Sequence, residues 1–344
     1  MKELQAIVAA LTADGAPAHV MATLVGVEGS SYRRPGARLI VAPDGRRTGS
    51  ISGGCLEEDV LARAVRVRAT GGPEAVVYDT TSENDLVWGV GLGCHGVVRV
   101  LLEPLPPRPA WAVALAAGFA ARRSTRLAVT HDGTAPSTWG TALASPGPAV
   151  PDAGSIPAIP ADAAPAGVFH EEIPPPTALC IFGAGDDAQP LARLAAELGW
   201  PVTVADPRPA MATAARFPGA HRLIAAPCDT LVARAAPDAA TVAVVMTHHY
   251  VHDVPLLRDL SALPLPYLGL LGPKKRAEKI LADLAAAGTP VPPAAAARLH
   301  APVGLDLGAD APEQVALAIL AEIQAALTGR SARPLRERTR PIHE

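Results

Sequence analysis

A chain of 344 residues, 49% apolar and only 3% aromatic, exceeds one ordinary hydrophobic core and predicts two domains with cores of Ala, Val and Leu. Its formal charge of −3 leaves no global basic face and argues against a nucleic-acid partner. Four cysteines without a Cys-x-x-Cys pair spell neither a disulfide framework nor a spaced zinc site, which suits a reducing, cytoplasmic setting; no apolar run reaches membrane-spanning length, and Met1-Lys2-Glu3-Leu4-Gln5 lacks a charged-then-apolar leader pattern.

In chain order, residues 3–13 read as a short amphipathic helix and His19–Val27 as an apolar strand. The strand runs into Glu28-Gly29-Ser30-Ser31-Tyr32-Arg33-Arg34-Pro35-Gly36, a loop of hydroxyls, arginines and glycines that looks built for an anion. Ser31, Arg33 and Arg34 are its candidate contacts, against the plainer reading of the arginines as solvated loop charges. A second strand, Ala37–Ala42, turns at Asp44-Gly45 onto Thr48–Ser52, which delivers the chain to Gly53-Gly54-Cys55-Leu56-Glu57-Glu58-Asp59. Paired glycines permit positive φ and close approach of a ligand, and the helix start that follows favours an anion, a thiolate included. The alternative is that Cys55 is small apolar filler, the commonest role of a free cysteine. A second glycine-framed thiol, Gly91-Leu92-Gly93-Cys94-His95-Gly96, counts against that alternative.

Helical spacing from Leu56 to about Ala69 ends at Gly71-Gly72, and strands follow at Ala75–Asp79 and Val97–Leu102. A helix over 109–122 and a strand at Arg126–Thr130 precede an Ala/Pro/Gly-rich stretch from Ala142 to Pro176, broken by one strand at 167–173. The domain boundary is placed at Pro174-Pro175-Pro176, giving an N-terminal mixed α/β domain over 1–175.

The second half, 176–330, opens on a strand at Ala178–Phe182, the turn Gly183-Ala184-Gly185-Asp186-Asp187-Ala188, a helix at Gln189–Leu198 and a strand at Pro201–Ala205 closed by Asp206. That is the nucleotide-binding βαβ fingerprint and predicts a Rossmann-like domain with a parallel sheet. Asp186 and Asp187 stand where a pyrophosphate would approach, and are read as helix caps. Thr241–Met246 is an apolar strand followed by Thr247-His248-His249-Tyr250-Val251-His252-Asp253, at the strand end where such sheets bind ligands. Tyr267–Leu271 leads through Gly272 and Pro273 to Lys274, Lys275 and Arg276, cations that oppose the helix dipole unless an anion neutralises them. Cys180 reads as a core strand residue, and Cys228, after Pro227, sits in a turn-like context. A last helix runs to about Leu327, and the Arg-rich segment 331–344 is expected to be a disordered tail.

Together the Gly29–Gly36 loop, Ser52-Gly53-Gly54-Cys55-Leu56-Glu57, Gly91-Leu92-Gly93-Cys94, Phe182-Gly183-Ala184-Gly185, Val245-Met246-Thr247-His248, Gly269 through Lys274 and Gly304 through Glu313 resemble the XdhC/CoxI family over nearly the whole chain. The resemblance implies an accessory protein of xanthine dehydrogenase-type molybdoenzymes. Such a protein binds and protects the molybdenum cofactor, in its molybdopterin or a dinucleotide form, supports its sulfuration with a cysteine desulfurase and inserts it into the apo-enzyme, without turnover of its own. A homodimer is expected from the same source. It implies cofactor contacts at Gly53, Gly54, Ser31, Arg33, Arg34, Gly183, Gly185, Asp206, His248, Gly272, Lys274 and Lys275, with Cys55 and Cys94 nearest the molybdenum or its labile sulfur. Asp186, His249 and His95 depart from the family's usual histidine, asparagine and glycine. The competing readings are an NAD(P)-dependent oxidoreductase using the second domain conventionally, favoured by Asp206 and opposed by Asp186 and Asp187, or a second domain serving as an interaction surface.

Overall fold

The computed structural model describes residues 1–79, 96–132, 135–144, 167–339 and 342. The Cys94 loop lies outside the described residues. The described residues gather into two compact units: the first takes those up to Pro175 together with those from Leu335 onward, the second those from Pro176 to Pro334.

The first unit is organised by β1 (His19–Gly29), the central strand of a five-stranded antiparallel sheet. Its neighbours are β2 (Arg38–Val41) and then β3 (Arg47–Gly49) on one side, and β5 (Gly96–Leu105) and then β4 (Glu74–Asp79) on the other. Both faces of β1 are covered, which is why its sequence reads as a continuous apolar run rather than an alternation. Val20, Ala22 and Leu24 meet α2 (Glu57–Thr70) in one cluster with Val60, Ala64 and Val67. Met21 faces α1 (Lys2–Thr12) and α3 (Ala110–Ala120), while Val25 meets Leu101 and Val129. A bulge between Leu24 and Gly26 shifts the register and returns Val27 to the α2 face. Val129 belongs to a separate three-stranded antiparallel sheet in which β6 (Thr125–Thr130) lies between β7 (Gly140–Leu143) and β8 (Val168–Ile173).

The second unit is a six-stranded parallel sheet. In chain order its strands are β9 (Ala178–Phe182), β10 (Val202–Asp206), β11 (Arg222–Ala225), β12 (Thr241–Val245), β13 (Tyr267–Leu270) and β14 (Leu299–His300). In space the order is β11-β10-β9-β12-β13-β14, the doubly wound arrangement whose direction reverses between β9 and β12. Alternate residues of β9 serve opposite faces. Leu179 and Ile181 pack with α4 (Ala188–Glu197) and α9 (Pro312–Thr328). Cys180 and Phe182 pack with α5 (Cys228–Ala235), α6 (Tyr250–Ser261) and α7 (Lys274–Ala286), so Cys180 is a core strand residue as expected. Cys228 opens a helix behind Pro227 instead of lying in a turn, because a proline just ahead of a helix costs it no hydrogen bond. A short helix, α8 (Pro293–Ala296), precedes β14; beyond α9, Leu335–Glu337 form a 3-10 turn that belongs to the first unit. No helix among the described residues is long and apolar enough to cross a membrane.

Candidate functional site

In the first unit the segment expected to be a strand through Ser52 leaves the sheet at Gly49. Glycine is required there: φ is +87°, and a Cβ atom would lie 2.3 Å from the Arg38 carbonyl oxygen. From Ser50 to Leu56 the chain is instead wrapped around the carboxylate of Glu57, the first residue of α2 and itself buried. Glu57 Oε1 accepts from the backbone N–H groups of Ile51 (3.3 Å) and Ser52 (3.0 Å). It also lies 2.9 Å from the Ser50 hydroxyl, which shares its one proton with the Ser52 carbonyl. Glu57 Oε2 accepts from the Ser52 hydroxyl. Ser52 Oγ in turn accepts from the N–H groups of Gly54 (3.1 Å) and Leu56 (3.2 Å). Burial pushes the Glu57 carboxyl up, but the donors from Ser52 and Ser50 outweigh it and hold the group below the ordinary glutamate value.

Cys55 stands between those two tethered residues. It is a free, half-buried thiol that packs on the margin of the Val20–Val60 cluster. Of the glycine pair only Gly54 takes a left-handed conformation, at φ +113°. Gly53 lies against Tyr32, whose ring is 3.7 Å from the place of its missing Cβ, an ordinary contact distance. Tyr32 is 66% exposed, so the Gly29–Gly36 loop lays an open aromatic face against the turn that carries Cys55. That loop is anchored by Arg38, whose buried guanidinium donates to the Gly36 carbonyl at 3.0 Å and pairs with Glu171 of β8.

The structure therefore brings Gly53, Gly54, Cys55 and the Ser31–Arg34 loop together. Arg33 is turned to Glu3 of α1, Arg34 is exposed, and Ser31 is half-buried. Gly96, the first described residue after the Cys94 loop, pairs with Gly29 at the end of β1. Sequence reasoning misses Tyr32, Ser52 and Glu57 as site residues. The signal for Tyr32 is its rarity, an aromatic in a polar loop of a chain with four tyrosines; the signal for Glu57 is an acidic residue five positions after a serine in a glycine turn.

In the second unit the expected residues gather at the carboxyl edge of the sheet on either side of the β9/β12 reversal. Gly183 is held at φ +117°, and a Cβ there would lie 2.4 Å from the Met246 carbonyl oxygen, so only glycine lets the β9 turn approach β12. A Cβ on Gly185 would lie 2.6 Å from Asp187 Oδ1. Asp206 is 1% exposed and accepts from the Ala184 N–H (2.7 Å), the Arg208 N–H (2.8 Å) and both sides of the Arg208 guanidinium at 2.9 Å. Its two oxygens are thus spent on the glycine turn and on Arg208.

Asp186 and Asp187 do not cap α4 with their side chains. Asp186 pairs with Arg216 at 2.8 Å, and Asp187 Oδ2 lies 2.7 Å from His248 Nε2, because partners from neighbouring loops outcompete the helix N–H groups. His248 itself sits at φ +58°, an uncommon state for a side-chain-bearing residue, braced by Thr247 Oγ1, which accepts from the His249 N–H at 3.0 Å. Thr247 donates to the buried Asp253 at 2.5 Å, and Asp253 also pairs with Arg276. The three cations expected to crowd the start of α7 are accordingly two exposed lysines, Lys274 and Lys275, and one arginine turned inward. Gly272, at φ +139°, makes the turn that introduces them. Among the described residues no group of three or more His, Cys, Asp or Glu side chains is arranged to hold a metal ion.

Comparison with known proteins decides the relationship. Residues 12–79 match the XdhC and CoxI family and residues 179–323 match the XdhC Rossmann domain. A Bacillus subtilis protein, named as a probable subunit of xanthine dehydrogenase, is 35% identical over 315 residues, 88% of this chain and 92% of the relative. The chain belongs to the XdhC and CoxI family. A crystal structure from Bacillus halodurans, described as a xanthine dehydrogenase, superposes on this XdhC/CoxI-family chain with a TM-score of 0.78 at 30% identity, covering 98% of both. The molybdenum cofactor insertion chaperone PaoD of Escherichia coli is 31% identical over 86 residues, a quarter of this chain (25%) and 26% of its own. The two matched segments, 12–79 and 179–323, thus follow one another along the chain.

Proposed function

We propose that this XdhC/CoxI-family chain is an accessory protein that binds the molybdenum cofactor, shields it during sulfuration by a cysteine desulfurase, and inserts it into a xanthine dehydrogenase-type molybdoenzyme. The observation that carries the reading is one turn, fixed from beneath, on which the half-buried Cys55 follows two residues after Gly53, the glycine against which the ring of the exposed Tyr32 lies. A pterin dithiolene with a sulfur-tolerant metal and a phosphate asks for a soft donor, a flat apolar face and an anion contact. Cys55 and Tyr32 fit the first two, and the exposed Arg34 of the same loop fits the third. When bound, the cofactor supplies a metal centre bearing a labile sulfur for use by the client. The chain's own residues would hold and screen it: Cys55 would be the soft donor and Tyr32 the flat face beside it. In the second unit His248, Lys274 and Lys275 are the proposed ligand contacts, while Gly183, Gly185 and Asp206 shape the turn beside them.

The names of the relatives support this reading, and so does the commitment of Asp206. An oxidoreductase with NAD(P) would use that carboxylate for a ribose hydroxyl, yet both of its oxygens are engaged by Ala184 and Arg208. The test is activation of a purified cofactor-free xanthine dehydrogenase-type enzyme by the cofactor-loaded protein. Faster recovery of activity than with the same amount of free cofactor is expected, and that advantage is lost with Cys55→Ala. Equal recovery with and without the protein would contradict the proposal.

A further inference from the structure

Both chain neighbours of Cys55 donate their N–H groups to a single oxygen, Ser52 Oγ, and that hydroxyl spends its own proton on the buried Glu57 carboxylate. We propose that Ser52 and Glu57 are the positioning residues of the Cys55 thiol, acting on the ligand only through it. This rests on the reading of Cys55 as a ligand contact. The arrangement is directional. A carboxylate can only accept, so it fixes the Ser52 hydroxyl proton toward itself and leaves the hydroxyl lone pairs for Gly54 and Leu56. Glu57 in addition takes the Ile51 and Ser52 N–H groups at the approach to α2. The turn that leads into the helix start is thereby wrapped around the chain's own charge and held in one shape before any ligand arrives, which lowers the ordering cost of binding. Gly54, at φ +113°, bends the chain so that Cys55 lies on the rim of this cage while Ser52 lies within it.

The test uses the full chain with Ser52→Ala and Ser52→Thr. Three quantities are read: amide hydrogen exchange at Gly54 and Leu56, the rate of Cys55 alkylation by iodoacetamide followed on its own peptide, and retention of molybdenum cofactor. Loss of one buried acceptor predicts exchange at both amides faster by about tenfold in Ser52→Ala. It also predicts an altered Cys55 alkylation rate and weaker retention at unchanged overall circular dichroism. Ser52→Thr, which keeps the oxygen, restores all three. Exchange and alkylation equal to the parent in Ser52→Ala, or failure of Ser52→Thr to restore them, would overturn the positioning role. Absence of retention by the parent protein would instead overturn the proposed function while leaving the exchange and alkylation results to judge the cage.

Discussion

Asp206 and Asp253 are buried carboxylates at the same edge of one sheet, and their surroundings drive them in opposite directions. For Asp206, burial pushes the carboxyl up, but the Arg208 side chain and the Ala184 and Arg208 N–H groups outweigh it and hold the group below the ordinary aspartate value. For Asp253, burial wins over Thr247 and Arg276 and the carboxyl rises. The signs of their pH effects follow. A depressed folded value adds stability that is complete above the unfolded value and is lost as pH falls through the folded one; a raised value does the reverse, costing stability as pH climbs through the window between the two. Asp206→Asn should therefore destabilise the second unit by about 2 kcal/mol near neutrality. The gap to the parent should narrow as pH falls below roughly 4, where the unfolded aspartate takes its proton. Urea unfolding at pH 7 and pH 3 checks this, and a gap that stays the same or widens in acid would refute it. The same residue marks the limit of sequence reading. Its place at the end of the second strand is legible from its distance past the glycines, but its partner is not, because Arg208 lies two residues on in a loop without periodicity.

At the scale of elements, the parallel strands are legible because burial on both faces writes continuous apolar runs: Ala178–Phe182, Thr241–Val245 and Tyr267–Leu270 stand nearly where the sequence places them. Helix α6 is not, since Pro255 interrupts its pattern. Strands β11 and β14, four and two residues long, carry too little pattern to distinguish them from loop. Strand β7 merges into the Ala/Pro/Gly-rich stretch because it is half-exposed and opens on Gly140. The shortened β3 has a specific cause, the capture of Ser50 and Ser52 by Glu57. The glycine turns carry their own prediction. Gly183→Ala forces a Cβ to 2.4 Å from the Met246 carbonyl oxygen at a left-handed φ, so the turn must part from β12. A loss of about 2 kcal/mol or more is expected in thermal or urea unfolding. A variant as stable as the parent would mean that the turn and β12 are not held in register.

For the whole molecule, the division into two units follows from the placement of the cores. Among the described residues the two buried clusters of the second unit run from Leu179 to Ile323, with Leu327 at their margin, and those of the first reach no further than Ile173. A fragment of residues 176–330 is expected to fold alone and unfold cooperatively, as circular dichroism during thermal unfolding would show; a fragment without a transition would place essential contacts elsewhere. The family and its two-part order are readable from short motifs because glycine turns and the thiol beside them tolerate few alternatives. The supports of those motifs, Glu57 under Cys55 and Arg38 under the Gly29–Gly36 loop, are ordinary charged residues whose meaning comes only from burial. The central claim concerns the cofactor, and its most direct test is retention. Purified protein is mixed with molybdenum cofactor, unbound material is removed by desalting, and molybdenum and pterin are measured for the parent and for Cys55→Ala. Retention by the parent at micromolar concentration, lost in the variant without change in circular dichroism, is the predicted result; no retention by the parent would contradict the account.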